Sequence, residues 1–452
     1  MSIVKRAIFS IAGLAVWLHD RDQKLSEKRI TGMNHFMRKG WLAVITCALA
    51  TLNSGALFFG YPGLMTPYWK ELLQADTGAT GLIMTFACLG VGCMTLISGR
   101  LHPKMGTRFS FLMGTIVLVA GMIPARFTTS MGMVYLWAFL CGSGTGFIYM
   151  PSLTTVQNWF PHRRGLVTGI VNLFFGTSAA IMSPIYSFLL EKLGYDSLNF
   201  IILEMVVIIN GLALVFAELP ERVALTPEET QFHAQLVEAK NCENALKGPT
   251  LAEKSFTAKE ALCTKAFWAV WLAWAFVGAA GISMVSLAGN YALSIGLSGV
   301  VVITAFNLTN GIGRIIAGTL SDYIGRNATG FVAFALGFLG YILLPFCRNL
   351  IVVAVLAAFV GYAFGTLFAI SAPLISDLFG LKHYSSIFSF IFVAYGLVSG
   401  VFGPALVGQI LKATGENYSI VFRMLAVFCA IGAVCIVMAK HSCKSAPATE
   451  KV

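Results

Sequence analysis

Gly318-Thr319-Leu320-Ser321-Asp322-Tyr323-Ile324-Gly325-Arg326 closes one apolar run of the chain. Gly99-Arg100-Leu101-His102-Pro103-Lys104-Met105-Gly106-Thr107-Arg108 closes another, 219 residues earlier. Two more landmarks keep nearly the same offset. Pro151 and Pro373 stand 222 residues apart, and Pro184 and Pro404 stand 220 apart. Three near-equal offsets describe a chain made of two halves with the same topology.

The runs around these landmarks set the solvent. Hydrophobic residues make up 57% of the 452 residues and charged residues only 11%, with a mean hydropathy of +0.79. So few polar side chains cannot cover so much apolar surface in water. That excludes a cytosolic enzyme and a disordered chain. A β-barrel is excluded as well, because its strands alternate apolar and polar residues, whereas this chain stays apolar for about twenty residues at a time, the length of a spanning helix. The fold class is therefore an all-α membrane protein. Twelve stretches can cross the hydrocarbon layer, near 41–65, 78–98, 108–126, 131–157, 164–190, 196–218, 266–295, 299–320, 328–346, 350–379, 384–412 and 417–439. They divide into two pseudo-symmetric six-helix bundles, 41–218 and 266–439, related by an axis along the membrane normal. A hydrophilic linker at 219–265 joins them, carrying Glu221, Glu228, Glu229, Glu238, Glu243, Glu253 and Glu260. Residues 1–40 and 440–452 flank the bundles.

The net charge of +11 belongs to topology rather than to nucleic acid, since Lys and Arg sit between the spans. With the N-terminus inside, 24 of them fall on the cytoplasmic side and six outside: Lys70, Arg126, Lys192, Arg348, Lys412 and Arg423. The bias places both termini in the cytoplasm and the protein in the plasma (inner) membrane. Residues 7–18 are apolar after Lys5 and Arg6, like a signal peptide, but they run into His19, Asp20 and Arg21 with no small-residue cleavage site. Twelve residues are too short to span, so an amphipathic helix on the cytoplasmic face is expected. The ten cysteines show no CxxC pairing; Cys47, Cys88, Cys93 and Cys141 lie in apolar segments and read as small buried hydrophobes.

The stretch at 318–326 resembles the cytoplasmic-loop motif of the major facilitator superfamily. Its glycines permit a tight turn and close helix approach, and Asp322 can pair with a basic group or a helix end as a latch. Gly318, Asp322, Gly325, Arg326 and, in the first copy, Gly99 are the motif positions. In that first copy Pro103 stands where the family has Asp, which puts a latch there in doubt. Within the superfamily, Gly144-Thr-Gly146-Phe-Ile-Tyr149-Met-Pro151 and Asn158-Trp159-Phe160-Pro161-His-Arg163-Arg164-Gly165-Leu-Val-Thr-Gly169 resemble the signature of the oxalate/formate antiporter and monocarboxylate transporter families. Ser376-Asp377-Leu-Phe379-Gly380 is in the same style. Arg164, Gly165 and Asp377 join the gate positions on that likeness, which covers residues 40–440.

Arg314 is a cation inside the eighth span. Such a charge costs at least a few kcal/mol unless it faces protein or water. Asn307, Asn310 and Arg314 recur at three- and four-residue spacing and share one helix face. A guanidinium grips a carboxylate through two parallel hydrogen bonds, so the face reads as an anion site. A buried structural ion pair is the plainer alternative. In the resembling families an arginine on this span binds the substrate carboxylate. Two departures follow from the likeness. Animal-type monocarboxylate carriers have Asp four residues before this Arg, where this chain has Asn310. The oxalate carrier has a lysine on span eleven, where this chain has Tyr395. One fixed cation suits a monoanion.

Tyr149 sits where those families line the pocket with an aromatic. Phe58, Tyr61, Asn290, Tyr291 and Tyr362 are further lining candidates, each equally able to serve packing alone. Glu204, deep in span six, is either a proton site or a protonated structural carboxyl. The sequence contains no HExxH, DDxxD or Cys/His cluster, so no enzyme, cofactor or metal is expected. The function expected is secondary active transport of a small organic anion, a formate-, lactate- or pyruvate-like monocarboxylate. Exchange for a counter-anion and proton symport both stay open, and the carrier is expected to be a monomer in the lipid bilayer. A dicarboxylate exchanger and a transport-dead sensor of the same fold are the rivals. A carrier of cations or drugs would need acidic cavity residues, for which only Glu204 speaks.

Overall fold

A computed structural model describes residues 33–75, 77–246 and 256–440. The amphipathic helix expected at 7–18 lies outside them, as does the tail after 440. Among the described residues there are helices and no strands. Ten helical stretches are long and apolar enough to cross a membrane. Two of these are far too long for one crossing: Leu82–Arg126 has 45 residues and Arg164–Phe216 has 53. Each is broken at a glycine in the left-handed region, Gly106 at φ 85° and Gly194 at φ 79°. An L-residue at that φ carries a steric penalty that glycine escapes, and no α-helix continues through it. Ten stretches with two breaks make twelve helices, at the places the apolar runs indicate.

The helices are α1 (33–72), α2 (77–105), α3 (107–126), α4 (Met131–Trp159), α5 (164–193) and α6 (195–216) in the first half. The second half holds α7 (Lys265–Ser294), α8 (Gly299–Ile324), α9 (Arg326–Leu343), α10 (Leu350–Phe379), α11 (Tyr384–Ala413) and α12 (Tyr418–Met438). Local chemistry sets the ends. The side chain of Asn349 accepts from the amides of Ile351 and Val352 at the start of α10, and Thr264 accepts from Phe267 at the start of α7, each satisfying orphan donors of a first turn. α8 stops at Gly325, φ 92°. Helices α1 and α11 each contain a wide turn, at Ala56–Gly60 and Ala394–Ser399; such turns recur at functional sites.

The described parts of the linker, the start of α1 and the end of α12 lie at one end of the bundle, here called the linker side. The linker helix Pro227–Leu246 docks on the start of α1. Glu229 pairs with His35 at 2.8 Å and Lys39 at 3.0 Å, and Phe232 meets the Phe36 ring at 5.6 Å. Burial alone would push the Glu229 carboxyl up. The Thr226 amide, His35 and Lys39 outweigh that and hold it below the usual range.

The two halves meet along α5 against α8 and along α2 against α11. At the first seam the backbones nearly touch: a Cβ on Gly165 would stand 2.2 Å from the Gly318 carbonyl oxygen. Cys47, Cys88 and Cys141 are buried, but Cys93 lies on the outer surface. The correction follows from its helix position: an apolar residue facing lipid needs no burial.

Candidate substrate site and gate

Arg314 stands fifteen residues from the start of α8 and ten from its end, about 22 Å and 15 Å along the axis. It is 1% exposed. Its guanidinium is held by neutral groups. Nη2 donates to Asn310 Oδ1 at 3.1 Å and Nε to the Asn310 carbonyl at 3.2 Å. Nη1 donates across the seam to the Asn172 carbonyl on α5 at 3.0 Å. Gly176, one turn along α5, makes room, since a Cβ there would sit 2.7 Å from the guanidinium carbon. Cζ lies 4.3 Å from the centre of the Phe368 ring of α10, a cation–π contact.

Asn172 ties four helices together. Its Oδ1 accepts from the Tyr149 hydroxyl of α4 at 2.6 Å, and its Nδ2 donates to the Phe368 carbonyl at 3.3 Å. Around this core stands an aromatic wall. Tyr149 packs on Phe175 at 4.7 Å and on Phe392 at 5.4 Å. Tyr395, in the wide turn of α11, packs on Phe368 at 5.3 Å and on Trp274 at 5.6 Å. The Tyr395 hydroxyl and the Trp274 indole nitrogen are both buried without a hydrogen-bond partner.

Charge is the deciding property. Ion pairs among the described residues tie His35, Lys39, Arg164, Lys192 and Arg326, among others, to carboxylates, and Arg314 takes part in none of these. A guanidinium has five N–H donors, and three are engaged here. Two N–H groups and one full positive charge are left for a ligand. Among the described residues no carboxylate pairs with Arg314.

The remaining candidates distribute unevenly. Asn307 is half-buried one turn beyond Asn310. Tyr362 is half-buried beside Gly313. Phe58 is buried in the wide turn of α1 against Phe59, and it is Phe59 that meets Phe175, at 5.5 Å. Tyr61 sits in a separate cluster with Trp69, Trp137 and Tyr186, its hydroxyl donating to Asn199. Tyr291 donates to the Leu344 carbonyl at 2.7 Å and packs on Phe422, among second-half helices. Asn290 is exposed, and so is Glu204, on the surface of α6. Asn172, Phe368, Phe175, Phe392 and Trp274 were not singled out from sequence. Asn172 alone left a trace, as a polar residue in the apolar run of span five.

On the linker side of Arg314 the halves are pinned by charge. Asp322, at the end of α8, accepts from the amides of Gly165 and Leu166 at 3.2 and 3.1 Å. These are orphan donors of the first turn of α5, where a carboxylate is also favoured by the helix dipole. Arg326 pairs with Asp322 and donates through Nε to Asp377 at 3.1 Å. Asp377 also takes Arg164 of the other half at 3.2 Å. Ser376 donates to Gln157 at 2.9 Å. Gly99 contributes its carbonyl, accepting from Ser386 at 2.7 Å. The first-half copy has no carboxylate at the latch position, which is Pro103. Its place is taken by His102, whose Nδ1 lies 2.8 Å from Ser385 Oγ. These contacts join the two halves on the linker side.

Comparison with known proteins agrees with this architecture. The profile of the Major Facilitator Superfamily matches residues 43–350 and 280–451. The oxalate:formate antiporter of Oxalobacter formigenes is 26% identical over 337 residues, 74% of this chain and 76% of that protein. Monocarboxylate transporter 2 of Meriones unguiculatus is 24% identical over 413 residues, 84% of this chain and 79% of that protein. Among solved structures, the proton:xylose symporter XylE superposes with a TM-score of 0.68 at 13% identity, covering 88% of this chain and 95% of that one.

Proposed function

Because the chain belongs to the Major Facilitator Superfamily, whose members are transporters rather than enzymes as a class, we propose that it carries a small organic monoanion through the membrane by alternating access. One observation carries this reading: Arg314 is a fully buried cation with no carboxylate partner among the described residues and two unused N–H groups. An unpaired buried charge is expensive. A bound carboxylate would compensate it and take both N–H groups as a fork. Asn310 and Tyr395, neutral at the two positions where resembling carriers bear charge, leave the site with a single fixed cation. The two relatives that transport oxalate, formate or monocarboxylates by name support the class of substrate.

With both termini on the cytoplasmic side, as the Lys and Arg bias indicates, the linker side is the cytoplasmic side. The arrangement described is then closed to the cytoplasm by Asp322, Arg326, Asp377 and Arg164. The bundles 41–218 and 266–439 act as the two rocking units, with 219–265 as their tether. Counterflow into proteoliposomes, with labelled formate, acetate, lactate and pyruvate inside and out, tests the proposal. Saturable exchange of at least one of them supports it. Binding without flux for all of them would move the protein to the sensor reading.

A further inference from the structure

The gate is not symmetric, and the asymmetry is chemical. In the second half a carboxylate, Asp322, holds the start of α5. At the equivalent place in the first half the chain has Pro103, and His102 beside it reaches the start of α11. His102 is 1% exposed. Its two ring nitrogens lie on hydroxyls, Nδ1 at 2.8 Å from Ser385 of the second half and Nε2 at 3.2 Å from Thr107 of the first. Ser385 is also 2.9 Å from Thr154 Oγ1, and Thr107 is 2.7 Å from Thr155 Oγ1. Hydroxyls of both halves thus converge on one imidazole at the seam.

We infer that His102 is a proton site built into the linker-side gate: the closed gate holds the imidazole neutral, and opening toward the linker side lets it take a proton. The charged surroundings support this. Arg222, in the turn after α6, donates to the Lys104 carbonyl at 2.8 Å and brings a cation to the same loop. Arg100 and Lys104 flank His102 in sequence. Glu218 commits its oxygens to the amides of Thr107, Arg108 and Leu219. A cavity of about 620 Å³ adjoins His102, lined also by Glu221, Lys382 and His383. Protonating His102 in place would bury a cation beside Arg222 with only hydroxyls as ring partners, an unfavourable state. Opening separates Ser385 from His102, widens the cavity and hydrates the ring, which then regains an ordinary affinity for protons. A proton that binds only the open gate must favour it. Acid on the linker side therefore opens that side, whatever anion is carried.

The test is a distance measurement across the gate. Met105 and Tyr323 are exposed, 46% and 82%, on opposite halves. Spin labels on keto amino acids at these two positions leave the native cysteines in place. Between about pH 7.5 and about pH 5.5 the ratio of long to short distances should rise about tenfold, as for an imidazole of ordinary pKa, about 6.5, accessible only in the open state. The His102→Gln protein keeps a donor and an acceptor but has no proton to gain, and its ratio should stay flat. An unchanged ratio in the labelled protein with His102 intact overturns the inference. So does a tenfold rise that survives His102→Gln, which would place the titrating group elsewhere, at one of the other six histidines or a carboxyl.

Discussion

Competition between a monocarboxylate and a dicarboxylate probes the Arg314 site most directly. A carboxylate bound to Arg314 leaves no net charge in the aromatic box, because Asn310, Asn172, Tyr149 and Tyr395 are neutral. At about pH 7.5 oxalate and malonate carry two charges, since carboxyls ionise near pH 4. The second charge has no cation. One missing ion pair at about 4 Å forfeits about 4 kcal/mol at an effective dielectric of about 20, close to three orders of magnitude in affinity. Labelled monocarboxylate counterflow in proteoliposomes, with unlabelled competitors, reads the ratio. Formate, acetate, lactate or pyruvate should compete at concentrations roughly a thousandfold lower than oxalate or malonate. Tyr395 lies against the Phe368 ring on which the guanidinium stacks, so Tyr395→Lys puts an ammonium on the same wall. At about 7 Å that supplies about 2 kcal/mol and should narrow the gap about thirtyfold. Oxalate competing as well as formate in the unaltered protein would refute the single-cation site, because it would require a second cation or a bound proton.

Arg314→Lys keeps the charge but loses the planar fork and at least one of the bonds to Asn310 and Asn172. Flux should fall about a hundredfold while folded yield is retained, and near-normal uptake would count against a binding role. Asp322→Asn removes the anion at the start of α5 and its pair with Arg326. The population should shift toward linker-side-open by about tenfold, read as faster labelling of a cysteine introduced at Leu381 from that side; unchanged labelling argues against a latch. Glu229 has its carboxyl held below the usual range. Its contribution to docking the linker helix is therefore complete above about pH 4.3 and is lost as pH falls through the lowered value. Glu229→Gln should mimic that loss at neutral pH, as faster amide exchange across Pro227–Leu246, and protection equal to the unaltered protein's would refute the pairing.

Much of the fold was legible because lipid imposes a simple rule on each segment separately. A stretch such as 350–379 must be apolar along its whole length to span, so composition alone located it. The gaps between apolar runs bracket breaks at 99–107 and 191–195, but composition does not say which residue carries each; only the backbone angles put the stops at Gly106 and Gly194.

The sequence by itself determined twelve spans, two halves and a polar stripe on α8 containing Asn310 and Arg314. These depend on spacing within one helix, and a helix fixes spacing by its 3.6-residue turn. What lies opposite that stripe depends on how separate helices settle against each other. Asn172 of α5 and Phe368 of α10 share no period with Arg314, and only the packing of α5 and α10 against α8 brings them to it. The same holds for the gate: Asp377 joins Arg164 and Arg326 across 213 and 51 residues of chain. It holds too for Tyr61 and Tyr291, whose partners, Asn199 and Leu344, turn them toward other parts of the bundle. Side-chain chemistry along a helix is local, whereas the neighbour across a seam is chosen by close packing of surfaces distant in sequence.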